Sequence, residues 1–143
     1  MENRMFDLTG MTALVTGAAG GIGSAISHAL ARQGARLVLS ARRADALEAV
    51  RKQCANPQQH LVLPLDMSDS AALPAAVQQV LATLGRIDVL INNAGISQRS
   101  LVQDTALEVD RRIMEVDFFG PVALTKAVLP QMLAQRSGQL VAV

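Results

Sequence analysis

The chain has 143 residues, half of them hydrophobic, and a formal net charge of +1. This length suffices for one domain with an apolar core, and because Trp and Tyr are absent, aliphatic side chains must build that core. Positive and negative residues are interspersed, which argues against nucleic-acid binding, and no segment reaches the ~20 apolar residues that span a bilayer. A single cysteine cannot form an internal disulfide, and residues 1–7 lack the apolar stretch of a signal peptide, so we expect a cytoplasmic protein without a membrane segment.

Short runs rich in β-branched residues and Leu recur along the chain, separated by segments with helical spacing. This alternation is typical of βαβ units and a mainly parallel sheet. The predicted strands are Thr12–Thr16, Leu37–Ser40, Leu61–Leu65, Val89–Asn92 and Gln139–Val143. Because each strand is almost continuously apolar, we expect both faces of the sheet to be buried.

The spacing of apolar residues also predicts the helices between these strands. The segment from Asp69 to Gly85 follows the i, i+3, i+4 pattern, with Ser68 or Asp69 as its cap and Gly85 as its stop. A shorter helix is marked by Leu47, Val50 and Cys54. In that helix we expect Cys54 to fill the core rather than to act as a reactive thiol.

A longer helical pattern extends from Leu107 to Gln135. Two prolines interrupt it, at Gly120-Pro121 and at Pro130, and their missing amide donors are expected to kink or end the helix.

The order of strands follows from the handedness of the connections. Right-handed crossovers leave few topologies for such a chain, and the expected one is a Rossmann-like, doubly wound parallel sheet of order 3-2-1-4-5. Its ligand crevice would lie at the carboxyl ends of strands 1 and 4, where the strand order reverses.

A glycine-rich turn follows the first strand, with the sequence TGAAGGIG over residues 16–23. Gly17 permits a tight turn, Gly21 lets the backbone approach a pyrophosphate, and Gly23 allows close packing of helix on strand. The helix that follows offers free amides and the positive end of its dipole to phosphates. We therefore predict nucleotide binding here, with Ala19 and Ile22 as further cofactor-binding candidates.

Four ordered motifs together resemble the short-chain dehydrogenase/reductase family. The turn has the spacing TGxxxGIG rather than the common Rossmann spacing GxGxxG. Asp66 follows the third strand, residues 92–95 read NNAG at the end of the fourth, and residues 114–120 read MEVDFFG, similar to the family's MxVNxxG. The resemblance covers residues 8–143 and implies one NAD(P)-binding domain over residues 1–143, truncated before the family's later strands and helices.

The resemblance also implies roles for individual residues. It places Asp66 at the adenine amino group, with Met67 beside it, although a strand-ending Asp can also cap the next turn. Asn93, Ala94 and Gly95 are candidates to line the cofactor, while a purely structural role for either asparagine remains open. The pattern gives no metal site.

Cofactor preference depends on the end of the second strand. An NAD site normally has an acidic residue there, ~20 residues beyond the glycines, to accept from the ribose 2′-hydroxyl. This chain has Arg42 and Arg43 instead, and guanidinium groups suit a 2′-phosphate. We therefore expect NADP(H) in preference to NAD(H), chiefly through Arg42.

In the family, hydride transfer between nicotinamide and a carbonyl or alcohol substrate uses a Tyr, a Lys, a Ser and an Asn. The chain contains no Tyr, and its lysines, Lys52 and Lys126, fall in other predicted helices, so we expect the Ser, Tyr and Lys beyond residue 143 and no turnover by these residues alone. Asp117 occupies the Asn position, either as a catalytic relay group or with a structural bond only.

The resemblance therefore implies the amino-terminal part of an NADP(H)-dependent oxidoreductase with a small-molecule substrate. Family members usually associate through the long helix, so a homo-oligomer, dimer or tetramer, is expected. The alternative is a stand-alone nucleotide-binding or interaction module without catalysis. A methyltransferase with a related sheet is disfavoured, because its glycine loop needs neither TGxxxGIG nor NNAG.

Overall fold

The computed structural model describes residues 6–143 and consists of alternating strands and helices. The strands are β1 (Thr12–Thr16), β2 (Arg36–Ala41), β3 (Leu61–Pro64), β4 (Val89–Asn92) and β5 (Gln139–Ala142). The α-helices are α1 (Gly21–Arg32), α2 (Ala44–Gln53), α3 (Leu73–Leu84), α4 (Leu107–Met114) and α5 (Gly120–Gln135). All five strands agree with the predicted bounds to within one residue at either end.

The strands form one parallel sheet of order β3-β2-β1-β4-β5, which confirms the predicted topology. Successive residues of β1 enter opposite core layers, because side chains alternate across a strand. Leu14 packs with α3 and α5, while Ala13 and Val15 pack with α1 and α2. Strands β1 to β4 are thus covered by helices, and their carboxyl ends meet at one edge of the sheet.

The fifth strand differs from the expectation of burial on both faces. Within β5, Leu140 is 45% exposed and Val141 is 39% exposed. The strand lies at the edge of the sheet, pairs with β4 alone, and contributes to neither core layer of the described residues.

The prolines were expected to kink or end the long helix, and neither Pro121 nor Pro130 ends it. A π-helical turn, Glu115–Phe119, joins α4 to α5 directly. Pro121 follows this π-helical turn, where the regular α-helical hydrogen-bond pattern is already interrupted, so its missing amide donor is tolerated. Pro130 lies inside α5, but this helix also buries Leu124 and Val128, and their packing outweighs one lost hydrogen bond.

Neither residue predicted to cap α3 does so. A 3-10 turn, Ser70–Ala72, precedes the helix, which has no side-chain cap. The backbone amide and hydroxyl of Ser68 donate to Asp66 instead, since the strand-ending carboxylate is nearer along the chain. At the other end, Gly85 stops the helix in the left-handed conformation, as predicted.

One further side chain, Cys54, bears on the predictions. Cys54 is buried directly after α2, and burial raises the pKa of its thiol, in keeping with the expected core role.

No helix in residues 6–143 combines the length and hydropathy needed to cross a membrane.

His60 joins the amino ends of β2 and β3 as a buried neutral imidazole. Its Nδ1 accepts from the Leu37 amide at 3.1 Å, and its Nε2 lies 2.7 Å from the Ala55 carbonyl oxygen, so the ring carries its hydrogen on Nε2. Burial, aided by the nearby charge of Arg51, holds the pKa of His60 below its ordinary value.

We expect the free energy of unfolding to fall as the pH drops below 6.5, the ordinary histidine pKa, because the unfolded chain then binds a proton that folded His60 resists. The added slope is at most about 1.4 kcal/mol per pH unit. Urea unfolding of the wild type and of His60→Gln between pH 7.5 and 5.5 measures it. Equal pH slopes for the two proteins would contradict the prediction.

Candidate cofactor-binding site

The glycine turn connects β1 to α1 at the point where the strand order reverses. Gly17 has φ of +63°, which favours glycine, and the Gly20 amide donates to the Gly17 carbonyl at 3.2 Å to close the turn. No side chain caps the amino end of α1, and its first turn contains no acidic residue. The positive end of the helix dipole is therefore available to an anion.

The three motif glycines meet different surroundings. A Cβ on Gly23 would lie 2.0 Å from the Gly17 carbonyl oxygen, and a Cβ on Gly17 would lie 2.9 Å from the Ala94 Cα. A Cβ on Gly21 would meet no protein atom within 4 Å. Packing of the chain thus requires glycine at 17 and 23, whereas at 21 it does not.

Thr16 and Asn93 fasten the glycine turn to the end of β4. The buried Thr16 hydroxyl accepts from the amides of Asn93 and Ala94, both at 3.0 Å, and donates to the Ile91 carbonyl at 3.3 Å. The Asn93 side-chain amide donates to the carbonyl oxygens of Thr16 and Gly17 at 3.1 and 3.3 Å. Asn93 therefore has a structural function, which the sequence analysis left open.

Asn92 faces the other helical layer. Its side-chain amide donates to the Thr125 hydroxyl in α5 at 3.1 Å. Its Oδ1 is buried and has no hydrogen-bond partner among the described residues. The two asparagines of the NNAG segment thus brace the sheet on opposite sides.

A cleft of about 410 Å³ opens at the carboxyl ends of the inner strands. It is lined by most of the predicted cofactor-binding residues, namely Gly17, Gly21, Ile22, Gly23, Arg42, Asp66, Met67, Asn93, Ala94 and Gly95. Residues that the sequence analysis did not propose also line it, namely Thr16, Gly20, Ser40, Ala41, Leu65, Ile96, Arg112 and Val116. Most of these adjoin a motif in sequence, but Arg112 does not and could have been found only from its position one helical turn before Val116.

The structure does not bring Ala19 or Arg43 to this cleft. Ala19 lies on the exposed side of the glycine turn. Arg43 directly precedes α2, and its guanidinium pairs with Asp45 at 2.5 Å on the surface. Arg42 lines the cleft and forms no hydrogen bond or ion pair with the described residues.

Asp66 stands at the same end of the cleft as Arg42. Its Oδ1 accepts from the Ser68 amide at 2.9 Å and from the Ser68 hydroxyl at 2.7 Å. These bonds, followed by the charges of Arg42 and Arg112, hold the pKa of Asp66 below its ordinary value. The group is an ionised acceptor at neutral pH.

Asp117 lies in the π-helical turn and does not line the cleft. Its Oδ1 accepts from the Ile96 amide at 2.8 Å, so the carboxylate braces the segment that follows NNAG. Two roles were predicted for Asp117, a structural hydrogen bond and a catalytic relay. The structure shows the hydrogen bond, and the relay role remains a prediction. Among residues 6–143 there is no group of three or more side chains that could hold a metal ion.

A parallel sheet of this order with a glycine turn at the switch point defines a Rossmann-like, nucleotide-binding class of fold. The family model for short chain dehydrogenase matches residues 11–143. The chain belongs to the short-chain dehydrogenase/reductase family.

Individual relatives agree with this assignment. The human protein named dehydrogenase/reductase SDR family member 7 is 46% identical over 143 residues, covering 96% of this chain and 42% of the relative. The 7-like family protein of Anopheles gambiae is 46% identical over 142 residues, covering 95% of this chain and 45% of the relative. The chain thus spans less than half the length of these curated relatives.

Solved structures show the same fold. A metagenomic short-chain oxidoreductase crystallised in complex with NADP superposes with a TM-score of 0.90 at 35% identity, covering 95% of this chain and 62% of that one. A short-chain dehydrogenase from Streptomyces avermitilis gives a TM-score of 0.86 at 38% identity, covering 92% of this chain and 48% of that one.

Proposed function

We propose that the chain binds NADP(H), in preference to NAD(H), as the cofactor-binding part of an oxidoreductase that acts on a carbonyl or alcohol substrate. One observation carries the proposal: Gly21 lines the cleft although no protein atom lies within 4 Å of where its side chain would be. The fold itself gives no reason for glycine there. A diphosphate that approaches the backbone at the start of α1 supplies one.

The residues present fit such a cofactor at several points of the cleft. The amides at the start of α1 bind the diphosphate, and Asp66 retains its Oδ2 as an acceptor for an adenine amino group. Ala94 and Gly95 leave room for a ribose and ring, and Asp117 positions this segment through Ile96. When bound, the nicotinamide ring accepts or donates a hydride at its C4 atom.

Gly21→Ala tests the diphosphate site. We expect about tenfold weaker NADP⁺ binding or more, since a methyl group in a filled cradle costs roughly 1–3 kcal/mol. Stability should change by less than about 1 kcal/mol, because the new Cβ meets no protein atom. Calorimetric titration and urea unfolding measure the two effects, with Ala25→Ser, at an exposed position of α1 outside the cleft, as the control. Unchanged affinity in Gly21→Ala would contradict the proposal.

Arg42→Ala tests the cofactor preference in the same titrations. The metagenomic oxidoreductase of similar fold was crystallised with NADP, and in the present chain Arg42 brings a guanidinium group from the end of β2 to the cleft. We expect NADP⁺ affinity to fall about tenfold to a hundredfold, the value of a charge-assisted bond, while NAD⁺ affinity stays unchanged. Arg43→Ala should alter the ratio less than twofold, because that side chain pairs with Asp45. Equal NADP⁺ and NAD⁺ affinities in the wild type would refute the preference.

The proposal also covers self-association, the class of substrate and the location of the protein. Met114, Phe118, Phe119 and Leu133 are exposed on the α4–α5 stretch, which favours a homo-oligomer built on this face. Sedimentation velocity checks this, and a monomer at high concentration would contradict it. We propose a small-molecule substrate, no nucleic-acid partner and a cytoplasmic location.

A further inference from the structure

The adenine end of the cleft has no aromatic side chain. The chain contains three Phe and neither Trp nor Tyr, and none of the three, Phe6, Phe118 and Phe119, lines the cleft. Phe118 and Phe119 contact each other edge to face, with ring centroids 5.2 Å apart. A purine bound beside Asp66 therefore has only aliphatic and guanidinium groups available for its faces.

Arg112 is the arginine of α4 that lines the cleft. It lies four residues before the buried Val116, so the two side chains share a helix face, and both line the cleft. Its neighbour Arg111 lies instead beside a separate hollow formed with Leu107 and Met114. Helical register thus directs one arginine into the cleft and the next one away from it.

The guanidinium group of Arg112 has no ion-pair partner among the described residues, but it lies near Asp66. Its guanidinium forms no hydrogen bond or ion pair with residues 6–143, yet its charge acts on the Asp66 carboxylate, as does that of Arg42. Arg42 comes from the end of β2 and Arg112 from α4, so the two cations reach Asp66 from different elements. We expect Arg42 to bind a 2′-phosphate. Arg112 is therefore the guanidinium group that is available to contact the adenine base.

We infer that Arg112 covers the adenine ring of the bound dinucleotide, with its planar guanidinium resting on the face of the base. The inference rests on the proposed function, since it names a further specificity-determining contact in the same site. Guanidinium planes stack on aromatic rings, and a base offers such a face whichever substituents it carries. The contact differs from that of Asp66, which recognises the exocyclic amino group, and from that of Arg42, which recognises the phosphate.

Arg112→Ala should therefore weaken three ligands by the same factor, about threefold to tenfold for a partly exposed cation–π contact. The probes are NADP⁺, NAD⁺ and nicotinamide hypoxanthine dinucleotide, which lacks the adenine amino group but keeps a purine ring. Calorimetric titration of the wild type, Arg112→Ala, Arg42→Ala and the control Arg111→Ala measures the factors. Arg42→Ala should affect NADP⁺ alone, and Arg111→Ala, which removes the same charge outside the cleft, should affect none.

Loss confined to NADP⁺ in Arg112→Ala would make this residue a phosphate contact and overturn the stacking inference. Wild-type affinity for all three probes in Arg112→Ala would overturn it as well, with the proposed function intact. Failure of the wild type to bind any of the three would instead refute the proposed function, and the inference with it.

Discussion

Thr16→Val is expected to lower the free energy of unfolding by about 2–4 kcal/mol, since each orphaned buried amide costs roughly 1–3 kcal/mol. The Thr16 hydroxyl accepts from the amides of Asn93 and Ala94 and is itself buried at 1% exposure. Valine keeps the branched shape that suits a strand and removes only the hydrogen-bonding oxygen. The loss therefore reports the hydrogen bonds and not the packing.

Thr16→Ser is the matched control. Serine keeps the hydroxyl and deletes a methyl group, so it should cost less than valine although it is the poorer strand residue. Urea unfolding followed by circular dichroism ranks the three proteins. If Thr16→Val proved as stable as the wild type, the hydroxyl would not be what joins the glycine turn to β4.

Gly23→Ala should destabilise the chain by about 3 kcal/mol, at the upper end of what overpacking costs. The new Cβ would lie 2.0 Å from the Gly17 carbonyl oxygen and 2.8 Å from the Asn93 side-chain nitrogen. Neither neighbour can yield easily, because one is backbone and the other holds the turn through two hydrogen bonds. The helix must shift away from the turn.

Gly21→Ala separates this effect from a general intolerance of alanine in the turn. It lies two residues earlier and should shift the unfolding midpoint much less than Gly23→Ala, which should unfold at a clearly lower urea concentration. Comparable losses in both variants would mean that the turn rejects any added methyl group, and that the close approach at Gly23 is not the cause.

Much of the architecture could be predicted because it depends on local patterns. The nearly continuous apolar runs of β1 and β4 are typical of strands buried on both faces, and right-handed crossovers leave few strand orders. Spacing also placed Gly17 and Gly23 correctly, since their roles depend on neighbours in the same turn and on β4. The capping of α3 was predicted wrongly because Ser68 had two possible partners, and only the fold shows that it donates to Asp66.

Other features depend on contacts that the sequence pattern does not predict. Arg42 and Arg43 look equivalent in sequence, but Asp45 engages Arg43 outside the cleft. Asp117 is 21 residues from the Ile96 amide that it accepts from, and no spacing rule connects the two. Pro130 remains helical because α5 is packed on the sheet, which propensity alone does not foresee.

The sequence by itself determined the parallel sheet, its strand order and the glycine turn, because apolar periodicity and backbone sterics act over a few residues. The tertiary structure decided which side chains face the cleft. That choice depends on helix register and on which hydrogen-bond and ion-pair partners compete for each side chain, as Arg112, Arg43 and Asp117 show.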